Sequence, residues 1–238
     1  MGMTLLELEG VSKSYRRGSR EQVALCDVSL SVSAGELLVI WGRRRSGRST
    51  LLRVAAGAER PDAGVVCLEG RDLAEHSIAR LGETIGYVQK TLGSPEGETV
   101  LEQVAMALLV RGVSPSRSRA RTRAVLERVE CADLVNARPG DLDSAERIRV
   151  AIARALASEP RLLVADEPTV GLDLCDRDPL LRLLRSLADD GIAVLMSAGE
   201  STAFLDADRA LAISNGRLHG ELQPESAQIF PLRAATSG

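Results

Sequence analysis

Apolar and polar positions along this chain follow two periods. Short, nearly continuous apolar runs stand at residues 37–41, 161–165 and 192–196, each bounded by turn residues. They predict strands buried on both faces. Residues 4–10 alternate loosely and residues 22–33 (QVALCDVSLSVS) alternate cleanly, the pattern of a sheet with one wet face. Residues 65–68, after the turn signal Pro61-Asp62-Ala63-Gly64, and residues 85–88 predict two more short strands. Between Thr99 and Ala157 the period lengthens: Val100, Val104, Ala107 and Leu108 share one helical face, as do Val125, Leu126 and Val129. Residues 50–56 and 179–189 predict further helices, and residues 210–213 and 217–221, joined by Asn215-Gly216, predict a hairpin. Strands alternating with helices, with an antiparallel edge, predict an α/β fold. The expected organisation is one domain over residues 1–223, with a helical subdomain inserted at about 95–157, and a C-terminal tail over 224–238.

Composition narrows the chemistry. Apolar residues make up 45% of the 238 and aromatic ones 2%, so leucine, valine and alanine must fill the core. A net charge of −3 argues against a nucleic-acid-binding protein. The basic run Arg117, Arg119, Arg121 and Arg123 has no interleaved aromatics and reads as a solvated helix face. Cys26, Cys67, Cys131 and Cys175 form no C-x-x-C pair, and the expectation is four reduced, mostly buried thiols. No apolar stretch approaches the roughly 18 to 20 residues that cross a bilayer. The chain is therefore expected to be soluble and to reach a membrane only through a partner. Lys13 and Lys90 are its only lysines.

Candidate chemistry centres on Gly42 to Thr50. An apolar strand, a turn of glycine, serine and arginine, and an apolar-rich helix make the context of a phosphate-binding loop. Gly42, Gly47 and Ser49 meet the pattern G-x-x-x-x-G-K-[ST], but Arg48 stands where lysine is expected. Such a loop works because successive backbone N–H groups and a helix N-terminus converge on an anion. Ser46 lies within the loop, Ser49 suits a hydroxyl on Mg²⁺, and Thr50 suits a donor to a nearer phosphate. A guanidinium at position 48 keeps the charge in a planar, forked shape instead of a compact point. Arg43, Arg44 and Arg45 add cations that attract polyphosphate, while the bulk of Arg45 is expected to strain the cradle. Asp166 and Glu167 end a buried strand, where ligands of parallel sheets bind. Asp166 suits a Mg²⁺ ligand and Glu167 a group that polarises attacking water.

In order and spacing, these stretches resemble the ATP-binding cassette (ABC) ATPase family from Leu5 to about Leu218, with the macrolide-exporter and lipoprotein-release branch the nearest in character. The resemblance rests on Val11-Ser12-Lys13-Ser14-Tyr15, the phosphate loop, Ile85-Gly86-Tyr87-Val88, and Arg149 to Leu156 (RVAIARAL). It continues through Leu163 to Thr169 (LVADEPT) and Gly171-Leu172-Asp173. It implies a P-loop NTPase core with an antiparallel β subdomain and an inserted helical subdomain, ATP and Mg²⁺ as ligands, and a second ATPase subunit and a transmembrane permease as partners. It also implies a cytoplasmic position on the inner face of the membrane, Tyr15 stacked on adenine, and Asp173 contacting the opposite subunit.

The departures from the family pattern concern the same phosphate. In the family, two subunits sandwich ATP, and a signature LSGGQ of one caps the γ-phosphate held by the other. Here the aligned residues are Leu142, Asp143, Ser144, Ala145 and Glu146, which put a carboxylate where a hydroxyl is expected and side chains where glycines are. The switch histidine falls at Gly199, and the Q-loop glutamine falls at Lys90, with Gln89 one residue early. These lesions touch both composite sites of a homodimer or heterodimer. Three readings stay open: an ATP-binding transporter subunit in which ATP mainly closes the dimer, a non-catalytic regulatory or scaffold subunit, and a slow but genuine ATPase.

Overall fold

A computed structural model describes residues 3–18, 20–89, 98–199 and 206–221. The α/β reading holds. Strands β1 (Thr4–Arg17) and β2 (Arg20–Ser33) pair antiparallel, and β4 (Ala63–Leu68) and β5 (Arg71–Asp72) complete a four-stranded sheet in the order β2-β1-β4-β5. The second sheet holds six strands. Its parallel part comprises β3 (Leu37–Trp41), β6 (Ile85–Val88), β7 (Leu162–Ala165), β8 (Ala193–Ala198) and β9 (Arg209–Ser214). Strand β10 (Arg217–Glu221) adds an antiparallel edge, giving the order β10-β9-β3-β8-β7-β6. The β9–β10 turn uses Asn215 and Gly216, both at positive φ (50° and 74°), as a two-residue hairpin demands.

Neighbouring residues of the parallel strands face two cores. Leu37, Val39, Leu163, Ala165, Val194 and Met196 face one core, and Leu38, Ile40, Leu162, Val164, Ala193 and Leu195 face the other. Both sets are buried, which is why these strands read as continuous apolar runs. The first core is roofed by α3 (Val100–Leu109), α4 (Pro115–Arg128), α5 (Ser144–Leu156) and α6 (Leu174–Asp189). The second is closed by α1 (Arg48–Ala55) and the antiparallel sheet.

Several expectations shift at their edges. Strand β1 continues past Gly10, where positive φ (59°) and a register change between Leu8 and Val11 absorb the irregularity. Helix α1 starts at Arg48 instead of Thr50. Helix α6 starts five residues before Pro179, because Asp173 accepts from the Asp176 N–H (3.0 Å) and caps the end; the proline is carried inside the helix. The apolar pattern did not signal β5 or α2 (Ile78–Thr84). Of the four thiols only Cys131 is buried; Cys26 and Cys67 are half-buried and Cys175 is exposed, so the expected burial is corrected, and all four are free. The tail lies outside the described residues.

Candidate functional site

Three strand ends meet at one cradle: Gly42 after β3, Asp166 and Glu167 after β7, and Gly199 after β8. This is the carboxyl edge of the parallel sheet, where the fold leaves backbone groups for a ligand. A Cβ on Gly42 would sit 2.5 Å from the Ile213 carbonyl and 2.6 Å from Ser46 Oγ. Gly47 has φ 111°, and a Cβ there would lie 2.4 Å from the Ala24 carbonyl. Both positions therefore accept only glycine. Between them Arg45 adopts a left-handed conformation (φ 64°), which costs about 1 to 2 kcal/mol for a residue with a Cβ. The turn closes nonetheless: Ser46 N–H donates to the Arg43 carbonyl (3.1 Å), and Gly216 N–H donates to the Ser46 carbonyl (2.9 Å). Arg43, Arg44 and Arg45 are exposed at the rim of the cradle, and the turn's hydrogen bonds are made around Arg45 despite its bulk.

Arg48, 5% exposed, sits inside it. Its Nη2 donates to Glu167 Oε1 in a buried ion pair. Glu167 is itself left-handed (φ 49°), a turn that swings its carboxylate toward the loop. Asp166, also buried, accepts from Ser197 Oγ (2.7 Å), and the same hydroxyl accepts from the Glu167 N–H (2.9 Å). Ser197 thus fixes both acids, a role its place in an apolar strand did not signal. Burial, together with the nearby Asp166 charge, pushes the Tyr87 hydroxyl up to about 12.

Two adjoining cavities follow. One of about 160 Å³ is lined by Arg44, Arg45, Ser46, Ser49, Thr50 and Glu167. The other, of about 590 Å³, is lined by Gly42, Arg43, Arg48, Thr169 and Gly199 among others. Ser46 Oγ and Arg48 Nη1 are buried without a partner among the described residues. Orphaned donors inside a glycine-walled, arginine-rich turn fit the oxygens of a phosphate group. Ser49 lines the smaller cavity, and Ser49 and Asp166 are the groups that would hold a divalent cation beside it.

Tyr15 reaches the site from β1. Its hydroxyl donates to Glu59 (2.7 Å) and accepts from Arg53 Nη2 (2.9 Å), which also donates to Thr50 Oγ1 (3.2 Å). The ring is therefore anchored to α1, and the Thr50 hydroxyl is engaged by this cluster instead of standing free for a phosphate. Arg53 and Glu59 carried no sequence signal beyond their charge.

The remaining expected site residues lie elsewhere. Asp143 accepts from the Glu146 N–H (2.8 Å) and Glu146 from the Asp143 N–H (2.9 Å), a reciprocal cap on α5 that puts Ser144 at its first turn and buries Ala145. Asp173 caps α6 and is exposed. Gln89 is exposed just past β6, and Lys90 lies outside the described residues. The run from Arg117 to Arg123 lies on α4, with Arg121 paired to Glu159 (2.8 Å) and Arg117, Arg119 and Arg123 exposed.

Comparison with known proteins places this arrangement. Residues 25–170 match the model of the ABC transporter family. The lipoprotein-releasing system ATP-binding protein LolD of Shewanella oneidensis is 37% identical over 229 residues, covering 94% of this chain and 98% of that protein. The macrolide export ATP-binding/permease protein MacB 1/2 of Paracoccus denitrificans is 32% identical over 91% of this chain, which spans 33% of that larger protein. Among solved structures, the dimeric post-hydrolysis state of the ATP-binding cassette MJ0796, bound to ADP and Pi, superposes with a TM-score of 0.84 at 28% identity. It covers 92% of this chain and 99% of its own. No helix among the described residues is long and apolar enough to cross a membrane.

Proposed function

This chain belongs to the ABC transporter ATPase family as an ATP-binding subunit, and we propose that within it the chain holds Mg-ATP more than it cleaves it. The Arg48–Glu167 pair carries this reading. A carboxylate that polarises water must be available to accept from it, and Glu167 Oε1 is taken by a guanidinium. The loop from Gly42 to Thr50 would bind the polyphosphate through backbone N–H groups, Arg43, Arg44 and Arg48. Tyr15 would stack on the base. Ser49 and Asp166 would hold the Mg²⁺, which when bound neutralises charge on the phosphate oxygens.

Transport function is inferred from relatives. This chain spans a third of a protein whose name joins an ATP-binding part to a permease, and it matches a dimeric cassette over nearly its whole length. We therefore infer a second ATPase subunit and a separate permease as partners, with the chain peripheral on the cytoplasmic face. Closure of the ATP-bound dimer would gate the permease, and turnover would be slow or supplied by the partner site. A non-catalytic regulatory role is the second reading. It is favoured by the carboxylates of Asp143 and Glu146 at the α5 terminus, where a partner's phosphate would have to dock.

The test is binding and turnover by the purified chain. Mg-ATP should bind at micromolar to sub-millimolar concentration, with weak hydrolysis that Glu167→Gln barely alters. Robust hydrolysis lost on Glu167→Gln would overturn the holding role, and no binding at millimolar ATP would favour the regulatory reading.

A further inference from the structure

Gly199 is a glycine that its backbone does not require. It lies outside the left-handed region, unlike Gly47, and among the described residues a Cβ there would meet no backbone atom within 4 Å. What a Cβ would meet is Arg48: Nη1 at 3.4 Å and Nη2 at 3.7 Å. A methyl group would just touch the guanidinium, and a longer side chain directed toward it would share its space.

The guanidinium is divided between two tasks. Nη2 is committed to Glu167, while Nη1 is buried without a partner among the described residues and is the arm nearer Gly199; Arg48 and Gly199 both line the larger cavity. Leaving a buried N–H donor unpaired forfeits its hydration with nothing in return, so this arm has a strong demand for an acceptor. Arg43, Arg44 and Arg48 outnumber Glu167 among the charged groups lining that cavity, so the acceptor it suits is an anion.

We propose that Arg48 and Gly199 work as one matched pair. The absent side chain at 199 gives the guanidinium its room, and the unpaired Nη1 then supplies a contact to the terminal phosphate that a side chain at 199 would otherwise make. A forked cation is needed for this; an ammonium has no planar pair of arms to span Glu167 and an anion together. Arg48 is thus a bridging and positioning residue, and Gly199 sets which cation position 48 can carry. The inference deepens the nucleotide-holding reading and rests on it for the identity of the anion.

A cycle of variants of the full chain tests it: Gly199→Leu, Gly199→His, Arg48→Lys, and the two pairs. Two readouts are taken, the thermal midpoint without added nucleotide and the Kd for Mg-ATP. Gly199→Leu should lower the midpoint with Arg48 present and cost less than half as much in the Arg48→Lys background. Gly199→Ala, which only reaches contact distance, should stay close to wild type and guards against a leucine variant that fails to fold. Arg48→Lys should weaken ATP binding at least tenfold, and Arg48→Lys with Gly199→His should recover it to within about threefold of wild type. Additive midpoints would overturn the pairing, and absence of recovery would overturn the shared phosphate contact. A wild-type chain that binds no ATP would sink the nucleotide reading and the phosphate contact, while the midpoint cycle would still decide the pairing.

Discussion

Replacing Glu167 by glutamine removes one charge from a pair whose side chains are 5% and 6% exposed. The guanidinium of Arg48 then lies buried beside a neutral amide, with no carboxylate to balance it. Breaking a buried pair from one side costs about 3 to 5 kcal/mol, and an amide oxygen that still accepts from Nη2 brings the expectation to the lower end, about 3 kcal/mol. For a domain of this size each kcal/mol moves the midpoint by roughly 2 to 4 °C, so Glu167→Gln should melt about 6 to 12 °C below wild type. The gap should narrow without closing when ATP is supplied, because a tenfold gain in affinity is worth about 1.4 kcal/mol. In the variant both arms of Arg48 can turn to an anion, so ATP should bind roughly tenfold tighter and raise the midpoint further than in wild type. Differential scanning fluorimetry across an ATP titration measures both effects. Equal midpoints without nucleotide, or an ATP-induced shift no larger than that of wild type, would refute the view that Arg48 and Glu167 neutralise one another.

Other positions give independent checks. Gly47→Ala should cost roughly 2 to 4 kcal/mol in chemical denaturation and abolish ATP binding, since it meets both a left-handed φ and a carbonyl 2.4 Å away. Tyr15→Phe keeps the ring and removes its anchor to Glu59 and Arg53, so stability should fall by about 1 kcal/mol and ATP affinity by a fewfold, read by calorimetry. Burial pushes the Asp208 carboxyl up, but the Leu37 N–H and the Arg185 guanidinium outweigh it and leave it below the usual range. A carboxyl held low in the folded chain stabilises above its ordinary pKa of about 4 and loses that contribution as pH falls through the lowered value. Wild type should therefore exceed Asp208→Asn in stability at neutral pH, and the two acid-unfolding curves should converge below about pH 4.

Much of this was legible in the sequence because it depends on patterns the backbone enforces. Strands β3, β7 and β8 lie between two cores, so nearly every residue is apolar, and Gly42 and Gly47 are where the chain allows no Cβ. The phosphate loop, the acids after β7 and Gly199 are therefore brought together as their order implied. What the sequence hid was pairing across distance. Arg48 and Glu167 stand 119 positions apart, and nothing local says that a guanidinium will reach the carboxylate instead of a ligand. Ser197 was hidden because one hydroxyl in a buried strand carries no periodic signal, and Arg53 and Glu59 because charges on a helix and the turn after it usually face water. The start of α6 was missed for a related reason: Pro179 reads as a boundary, whereas the cap at Asp173 decides it.

The segment from Asp143 to Glu146 separates stability from function with unusual clarity. Its two carboxylates cap α5 by accepting each other's backbone N–H groups. Serine with glutamine makes the same reciprocal box, and serine caps about as well as aspartate, so helix stability does not require the two negative charges. The charges matter for what approaches the helix end. In the two-subunit arrangement that the family resemblance implies, this end faces the terminal phosphate held by the partner. At about 6 Å, each carboxylate would oppose one phosphate charge by roughly 0.7 to 3 kcal/mol, for effective dielectrics between about 80 and 20. Asp143→Ser with Glu146→Gln should therefore leave the thermal midpoint nearly unchanged while lowering the dimer dissociation constant in Mg-ATP at least tenfold, measured by sedimentation velocity in the Glu167→Gln background. High salt should narrow the gap between the two proteins, because exposed charges are screened. If the double variant dimerises no better than its parent, the carboxylates do not face a partner's nucleotide. If its midpoint falls by more than a few degrees, the acids serve the fold after all.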